Sequence, residues 1–231
     1  MAKITSVEPQ KSSKGRSAYG RKNNRRYNIY LDGEFAFGAD EDLVVEHRLV
    51  PGKVLDTSDA ERLLFEVEVG KLIERMYRLS NIRQRSEKEI RDYLKNLSFK
   101  RKIKGIDEIS TIVIDSTVDK LKRKGLINDL EFSKAWVDAR SKKYGPQRIK
   151  QELFKKGIDK EIIEEVIGSW FLVHGGTEVA ALALEKKIRL WRDLPELEFK
   201  KKAYDFLLRR GFEYSVVKDV VRRIDTGLKN F

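Results

Sequence analysis

Cysteine is absent from the 231-residue chain, which removes disulfides, thiolate metal sites and cysteine nucleophiles together and agrees with a reducing cytosol. Histidine is nearly as scarce: His47 and His174 are the only two. They cannot build a multi-histidine metal site, and no metal or cofactor is expected. No apolar run approaches the roughly 20 residues of a membrane span, and Met1-Ala2-Lys3-Ile4 lacks the apolar core of a secretory signal. The expectation is a cytoplasmic protein with no membrane partner. Also missing are a phosphate-binding loop, a Gly-rich dinucleotide fingerprint, a serine-nucleophile elbow and a His-Glu metal motif. The carboxylates Glu87, Glu89, Glu161, Glu164 and Glu165 sit on charged helix starts or faces, where the helix dipole accounts for them. The chain does not read as an enzyme.

What is present is basic charge. Lys and Arg number 49 against 37 Asp and Glu, a net charge of +12, so anionic partners are expected. With 40% apolar residues the chain can bury a core. Residues 1–26 carry eight basic side chains and one acid among Ser, Gly and Asn, which predicts a mobile basic arm able to add nonspecific DNA affinity. Residues 27–57 form a second module. There Asp32-Gly33 between Tyr27-Asn28-Ile29-Tyr30-Leu31 and Glu34-Phe35-Ala36-Phe37 predicts a β-hairpin, with a short helix from Asp40 to His47.

From residue 58 the pattern is helical. Ser58-Asp59-Ala60-Glu61 and Ser86-Glu87-Lys88-Glu89 read as capping boxes, and Pro146 and Pro195 suit first turns. The chain also matches itself. Ile90/Leu94, Ile149/Leu153 and Ala203/Leu207 are each followed, four residues on, by Ser98-Phe99, Gly157-Ile158 and Gly211-Phe212. Glycine suits the left-handed residue that closes a helix. The stripe Ile162, Ile163, Val166, Ile167, Trp170 recurs 54 residues later as Val216, Val217, Val220, Val221, Ile224, and earlier as Val113, Ile114, Thr117, Val118, Leu121. The first copy carries about ten extra residues near 100–109. Three tandem three-helix repeats are therefore expected at 58–125, 126–174 and 175–231. Small helical units stack on their neighbours, which predicts a mainly α, elongated and curved array carrying the hairpin module. Trp136, Trp170 and Trp191 fall on the apolar stripes and read as core.

The candidate site residues are cations. Arg140, Lys142, Lys143, Arg148, Lys150, Lys155 and Lys156 surround the turn into the second helix of the middle repeat, with Glu152 the sole acid among them. Lys200, Lys201, Lys202, Arg209 and Arg210 lie at matching places in the third repeat, and Arg83, Arg85, Lys88 and Arg91 in the first. Such clusters on stacked repeats form a positive track suited to phosphates or an acidic protein surface. A helix-turn-helix reader of duplex DNA is the alternative, but residues 160–170, a candidate recognition helix, expose Glu161, Glu164 and Glu165.

The middle repeat carries a resemblance. Gly125-Leu126-Ile127-Asn128-Asp129, then Phe132, Ala135-Trp136, Arg140, Tyr144-Gly145-Pro146, Arg148-Ile149, Glu152-Leu153 and Lys156-Gly157-Ile158 resemble the RecX family of recombinase regulators. Arg85-Ser86-Glu87-Lys88-Glu89-Ile90 is similar to that family's first-repeat motif, and residues 27–37 to the N-terminal extension of its Gram-positive members. Ser98 departs from the glycine the family usually carries. The resemblance covers about residues 27–225 and implies three stacked three-helix units. It further implies a non-enzymatic modulator of the RecA recombinase that binds RecA filaments on single-stranded DNA in their groove. Such a modulator lowers filament growth, ATP hydrolysis, strand exchange and co-protease activity, and so tunes DNA repair and the SOS response. The expected partners are the RecA filament and single-stranded DNA, and a monomer is favoured.

Overall fold

The computed structural model describes residues 1–10, 25–191 and 193–228. They form two compact units, Met1–Leu79 with Glu108–Lys120, and Ser80–Asp107 with Leu121–Phe231.

The first unit corrects the reading of residues 1–26 as one arm. β1 (Ala2–Pro9) pairs antiparallel with β2 (Arg26–Leu31), placing Val7 opposite Ile29. β2 forms a hairpin with β3 (Glu34–Asp40), in which Leu31 faces Glu34 and Ile29 faces Phe37. After α1 (Glu41–Glu46), the two-residue β4 (Val54–Leu55) pairs with Ala2 and Lys3, completing a sheet of order β3-β2-β1-β4. The physical reason is that a lone hairpin is marginal in water and gains stability from further strands and a packed face. Ile4 supplies that face: it is buried with Ile29, Phe37, Leu49 and Leu55. Of the eight bases in 1–26, only Lys3 lies in β1, and five lie at 11–24, outside the described residues. Asp32 (φ 47°) and Gly33 (φ 91°) make the expected two-residue turn with positive φ at both positions.

α2 (Thr57–Ser80) adds Leu63 and Val67 to the same core. Its start is two residues earlier than the capping box at Ser58 suggested, because the carboxylate of Asp56 accepts the Asp59 amide at 2.7 Å. Burying side chains of this size stabilises by about 1.5–3 kcal/mol each, so α2 adds to the stability of the sheet.

In the second unit, α3 (Glu87–Ile103) opens where expected, with Ser86 Oγ accepting the Glu89 amide at 3.3 Å. Its end differs from the expectation. Ser98 is a buried helical residue, and the helix closes at Gly105, whose φ is +68°. The Ile106 amide reaches the Arg101 carbonyl at 3.0 Å, the same closure as Ile158 to Leu153 and Phe212 to Leu207, both at 3.2 Å. Gly105 stands 15 residues after Ile90, whereas Gly157 and Gly211 stand 8 after Ile149 and Ala203. Seven extra residues are two helical turns, which shift the stop by about 10 Å and return it to the same face. The inserted basic stretch is thus mostly added helix, and the closing glycine of this repeat is displaced rather than lost.

α4 (Thr111–Arg123) buries Val113, Ile114, Thr117, Val118 and Leu121. Next come α5 (Asp129–Ser141), α6 (Pro146–Lys155) and α7 (Lys160–His174), which share one core that includes Phe132, Val137, Ile149, Leu153, Ile163 and Val166. α8 (Gly176–Trp191), α9 (Glu196–Arg209) and α10 (Tyr214–Leu228) share another, with Leu184, Phe199, Leu207, Phe212 and Val217. Trp170 and Phe171 touch both cores. All three tryptophans are half-buried against these cores, as their stripes suggested. No single helix among the described residues is long and apolar enough to cross a membrane.

Candidate functional site

The cations converge where one repeat's second helix meets the next. At the first junction, Ser86 Oγ donates to the carbonyl of Lys156 at 2.7 Å, and Lys88 Nζ donates to the carbonyl of Lys155 at 3.2 Å. At the second, the Gly145 amide donates to the Arg210 carbonyl at 2.8 Å and the Gln147 amide to the Gly211 carbonyl at 3.1 Å. Ser86 and Gly145 are 59 residues apart, Lys156 and Arg210 54, the spacings that relate the repeats. In both places, donors at the start of one second helix meet the carbonyl-rich end of the next. The approach is close. A Cβ on Gly157 would lie 2.7 Å from Lys88 side-chain carbons, one on Gly211 2.5 Å from the Arg148 amide nitrogen, and one on Gly145 2.5 Å from the Gly211 backbone.

The two junctions differ in charge. Around the first, Glu89 accepts Arg83 at 2.8 and 3.1 Å and Lys156 at 2.7 Å. Burial alone would raise the Glu89 carboxyl, but the hydrogen bonds from Arg83 and Lys156 overcome it and hold the group at about 2. Glu152 accepts Arg140 through both oxygens, at 2.8 and 2.5 Å, and Trp136 Nε1 at 3.1 Å. There too, burial raises the carboxyl, but the hydrogen bond and charge of the Arg140 guanidinium outweigh it and hold the group below its ordinary value. The Lys156 ammonium lies 4.3 Å from the Trp136 ring centre, and the Arg140 guanidinium 4.3 Å from that of Tyr144. A cleft lined by Lys88, Glu89, Asp92, Trp136, Glu152, Lys155 and Lys156 opens here, with cations and acids in near balance.

Around the second junction, the repeat spacing puts Arg148 where the first has Glu89, and Phe206 where it has Glu152. Arg148 is half exposed, and among the described residues it meets one acid, Glu152 at 3.5 Å, a carboxylate that Arg140 already occupies. Arg209 donates to a carbonyl of its own helix, Asp205, at 3.1 Å. Lys142 and Lys143 are exposed, and no described acid pairs with either ammonium. Glu213 meets Gln147 at 3.5 Å rather than a cation. The result is a local excess of positive charge around Arg210, whose guanidinium lies 5.5 Å from the Tyr144 ring centre and 4.3 Å from that of Phe206.

Three family models match this chain: the regulatory protein RecX N-terminal domain over residues 2–56, the RecX second three-helix domain over 128–167, and the RecX third three-helix domain over 177–221. Regulatory protein RecX of Bacillus subtilis is 33% identical over 207 residues, 89% of this chain and 74% of that protein. The chain belongs to the RecX family. Regulatory protein RecX of Bacillus pumilus is 30% identical over 229 residues, 98% of this chain and 79% of its own. A crystal structure of regulatory protein RecX superposes with a TM-score of 0.70 at 26% identity, covering 95% of this chain and 98% of that one.

Within this RecX fold the expected site residues separate into three groups. Arg140, Lys156 and Arg210 are occupied: Arg210 donates to the Lys143 carbonyl at 2.7 Å with its guanidinium 4.3 Å from the Phe206 ring centre. Lys156 and Arg210 span the junctions, whereas Arg140 ties α5 to α6 within the middle repeat. Lys150 pairs with Glu164, Lys200 with Glu196 at 2.5 Å, and Lys202 with Glu198 at 2.9 Å, all on helix surfaces. That leaves Lys142, Lys143, Arg148, Lys155, Lys201 and Arg209. Four of these, Lys142, Lys143, Arg148 and Arg209, gather at the second junction, whereas Lys155 lies at the first and Lys201 lies eight residues before Arg209 on α9. Sequence reading missed the acids that neutralise the first junction, because Glu89 looked like a helix-start residue and Glu152 like an isolated charge. The offset of 59 that maps Glu89 onto Arg148 was the available signal.

Proposed function

We propose that this RecX family member is a non-enzymatic regulator of the RecA recombinase. It docks on the filament that RecA forms on single-stranded DNA, through the cations of the second repeat junction, and inhibits filament growth, ATP hydrolysis, strand exchange and co-protease activity. The observation that carries the docking surface is the charge excess at Lys142, Lys143, Arg148 and Arg209, which replaces the neutralised arrangement of the first junction. Exposed cations in local excess attract an anionic partner, and contact through them weakens steeply with salt. Inhibition needs only that the bound protein occupy the growing end or favour the dissociating state of a subunit. A duplex-reading role is disfavoured by the acids on α7.

The test is ATP hydrolysis by the cognate RecA on single-stranded DNA, titrated with this protein and with an Arg148→Glu/Arg209→Glu variant. Inhibition well below one copy per RecA is expected from the parent. The variant should need at least about tenfold more protein, roughly 1.4 kcal/mol of docking energy, with helical content and melting unchanged. Full inhibition by the folded variant would place docking elsewhere, and no effect of the parent on RecA would remove the function itself.

A further inference from the structure

The first compact unit holds a side-chain cluster that regulation of a recombinase does not use. Glu46 ends α1, His47 follows as its cap, and Glu66 projects from α2. His47 Nε2 lies 2.9 Å from Glu66 Oε2, and the ring nitrogen and one oxygen of each carboxylate all fall within 4.8 Å of one another. The His47 and Glu66 side chains are only 24% and 23% exposed.

The imidazole is held where the carboxylates can reach it. The end of α1 is closed by the His47 amide to the Leu43 carbonyl, Arg48 to Val45 and Leu49 to Val44, at 3.1, 3.1 and 2.9 Å, and Leu49 is buried in the core. Lys53 donates to the backbone carbonyl of His47 at 2.5 Å, not to either carboxylate. Glu46 is exposed and its carboxylate has no hydrogen bond or ion pair among the described residues. Two carboxylates thus lie within reach of a single imidazole.

We propose that Glu46, His47 and Glu66 form a binding site for a divalent transition metal of the zinc class, tying the end of α1 to α2. The donor set fits that class. One imidazole nitrogen with two carboxylate oxygens suits a borderline ion, whereas magnesium and calcium take six or more oxygens. Bonds of about 2.0–2.2 Å to a tetrahedral centre place ligand atoms about 3.4 Å apart. The His47–Glu66 pair is already near that spacing, and the exposed Glu46 closes the remainder by side-chain rotation. Three protein ligands leave one position to solvent. Composition alone argued against a metal because it counted histidines, and this site requires only one.

The test is calorimetric titration of the full chain with zinc chloride, paired with thermal melts. One zinc ion per chain and a raised melting temperature are expected. His47→Ala and Glu66→Gln should weaken binding at least about tenfold, while His174→Ala leaves it unchanged. Because Glu66→Gln also removes the contact to His47 and can disturb the fold, Glu46→Gln serves as the second variant: it should melt like the parent without metal and bind zinc less tightly. Absence of saturable binding, parental affinity in Glu46→Gln or His47→Ala, or displacement by equal magnesium would overturn the site.

Discussion

The two repeat junctions share a backbone and differ in charge. In each, the start of one second helix meets the glycine-closed end of the next, through Ser86 on Lys156 and through Gly145 on Arg210. Yet Glu89 and Glu152 neutralise the first, and Arg148 and Phe206 stand at their places in the second. A repeat joint therefore has a conserved mechanical part, the glycine and the carbonyls, and a separable electrostatic part. The first junction directs its cations inward onto acids and rings. The second packs Arg210 inward and leaves Lys142, Lys143 and Arg209 exposed without an acid among the described residues.

The largest test of that separation is mechanical. Gly211 has φ +84° and no space for a Cβ beside the Arg148 backbone, so Gly211→Ala should cost about 3 kcal/mol in urea unfolding, from left-handed strain and overpacking together. Gly157→Ala meets the side chain of Lys88 instead, which moves more easily, and should cost about 2 kcal/mol. A negligible cost at either glycine would break the idea of a shared joint.

Next comes the charge lock of the first junction. Glu152→Gln leaves Arg140 without its bidentate partner and should cost about 2 kcal/mol, with unfolding free energy as the measurement. The corresponding position of the second junction is Phe206, half-buried, and no such ionic dependence is expected there.

A smaller effect appears in acid. The Glu89 carboxyl is held at about 2 against an ordinary value of 4.5, so its contribution to stability is present above about pH 4.5 and is lost as pH falls toward 2. Urea midpoints followed over that window should fall less steeply for Glu89→Gln than for the parent. The smallest effect belongs to Lys201, exposed on α9 and away from both junctions. Lys201→Glu should change stability by no more than about 0.5 kcal/mol and leave RecA inhibition within about twofold of the parent, which half a kcal/mol of docking energy would allow.

Much of this molecule was legible along the chain. The Asp32-Gly33 turn, the caps at Ser86 and Pro146, and the buried stripe of Ile163, Val166 and Ile167 follow from local rules, because φ preferences, capping and periodicity act within a few residues. β1 was not legible, since Lys3 and Ile4 were averaged into a basic segment whose other charges lie farther along, and a strand pairing across more than twenty residues leaves no local mark. The end of α3 was misplaced for a similar reason: an insertion of two helical turns preserves the face and hides the displaced glycine. Among the twelve candidate cations, sequence identified the cluster but not its occupancy, since whether a lysine meets an acid depends on which helices are neighbours.

The sequence by itself determined a mainly helical chain with tandem three-helix repeats, a hairpin near the N-terminus and a basic surface, because these rest on periodicity, turn chemistry and composition. Only the tertiary structure decided that Lys156 and Arg210 span junctions and Arg140 binds Glu152 within its repeat, while Lys142, Lys143, Arg148 and Arg209 stay at the surface, and that Glu46, His47 and Glu66 converge. Charge in a sequence is a sum, whereas charge at a surface is what remains after helices distant along the chain have brought their acids and rings within about 4 Å of it.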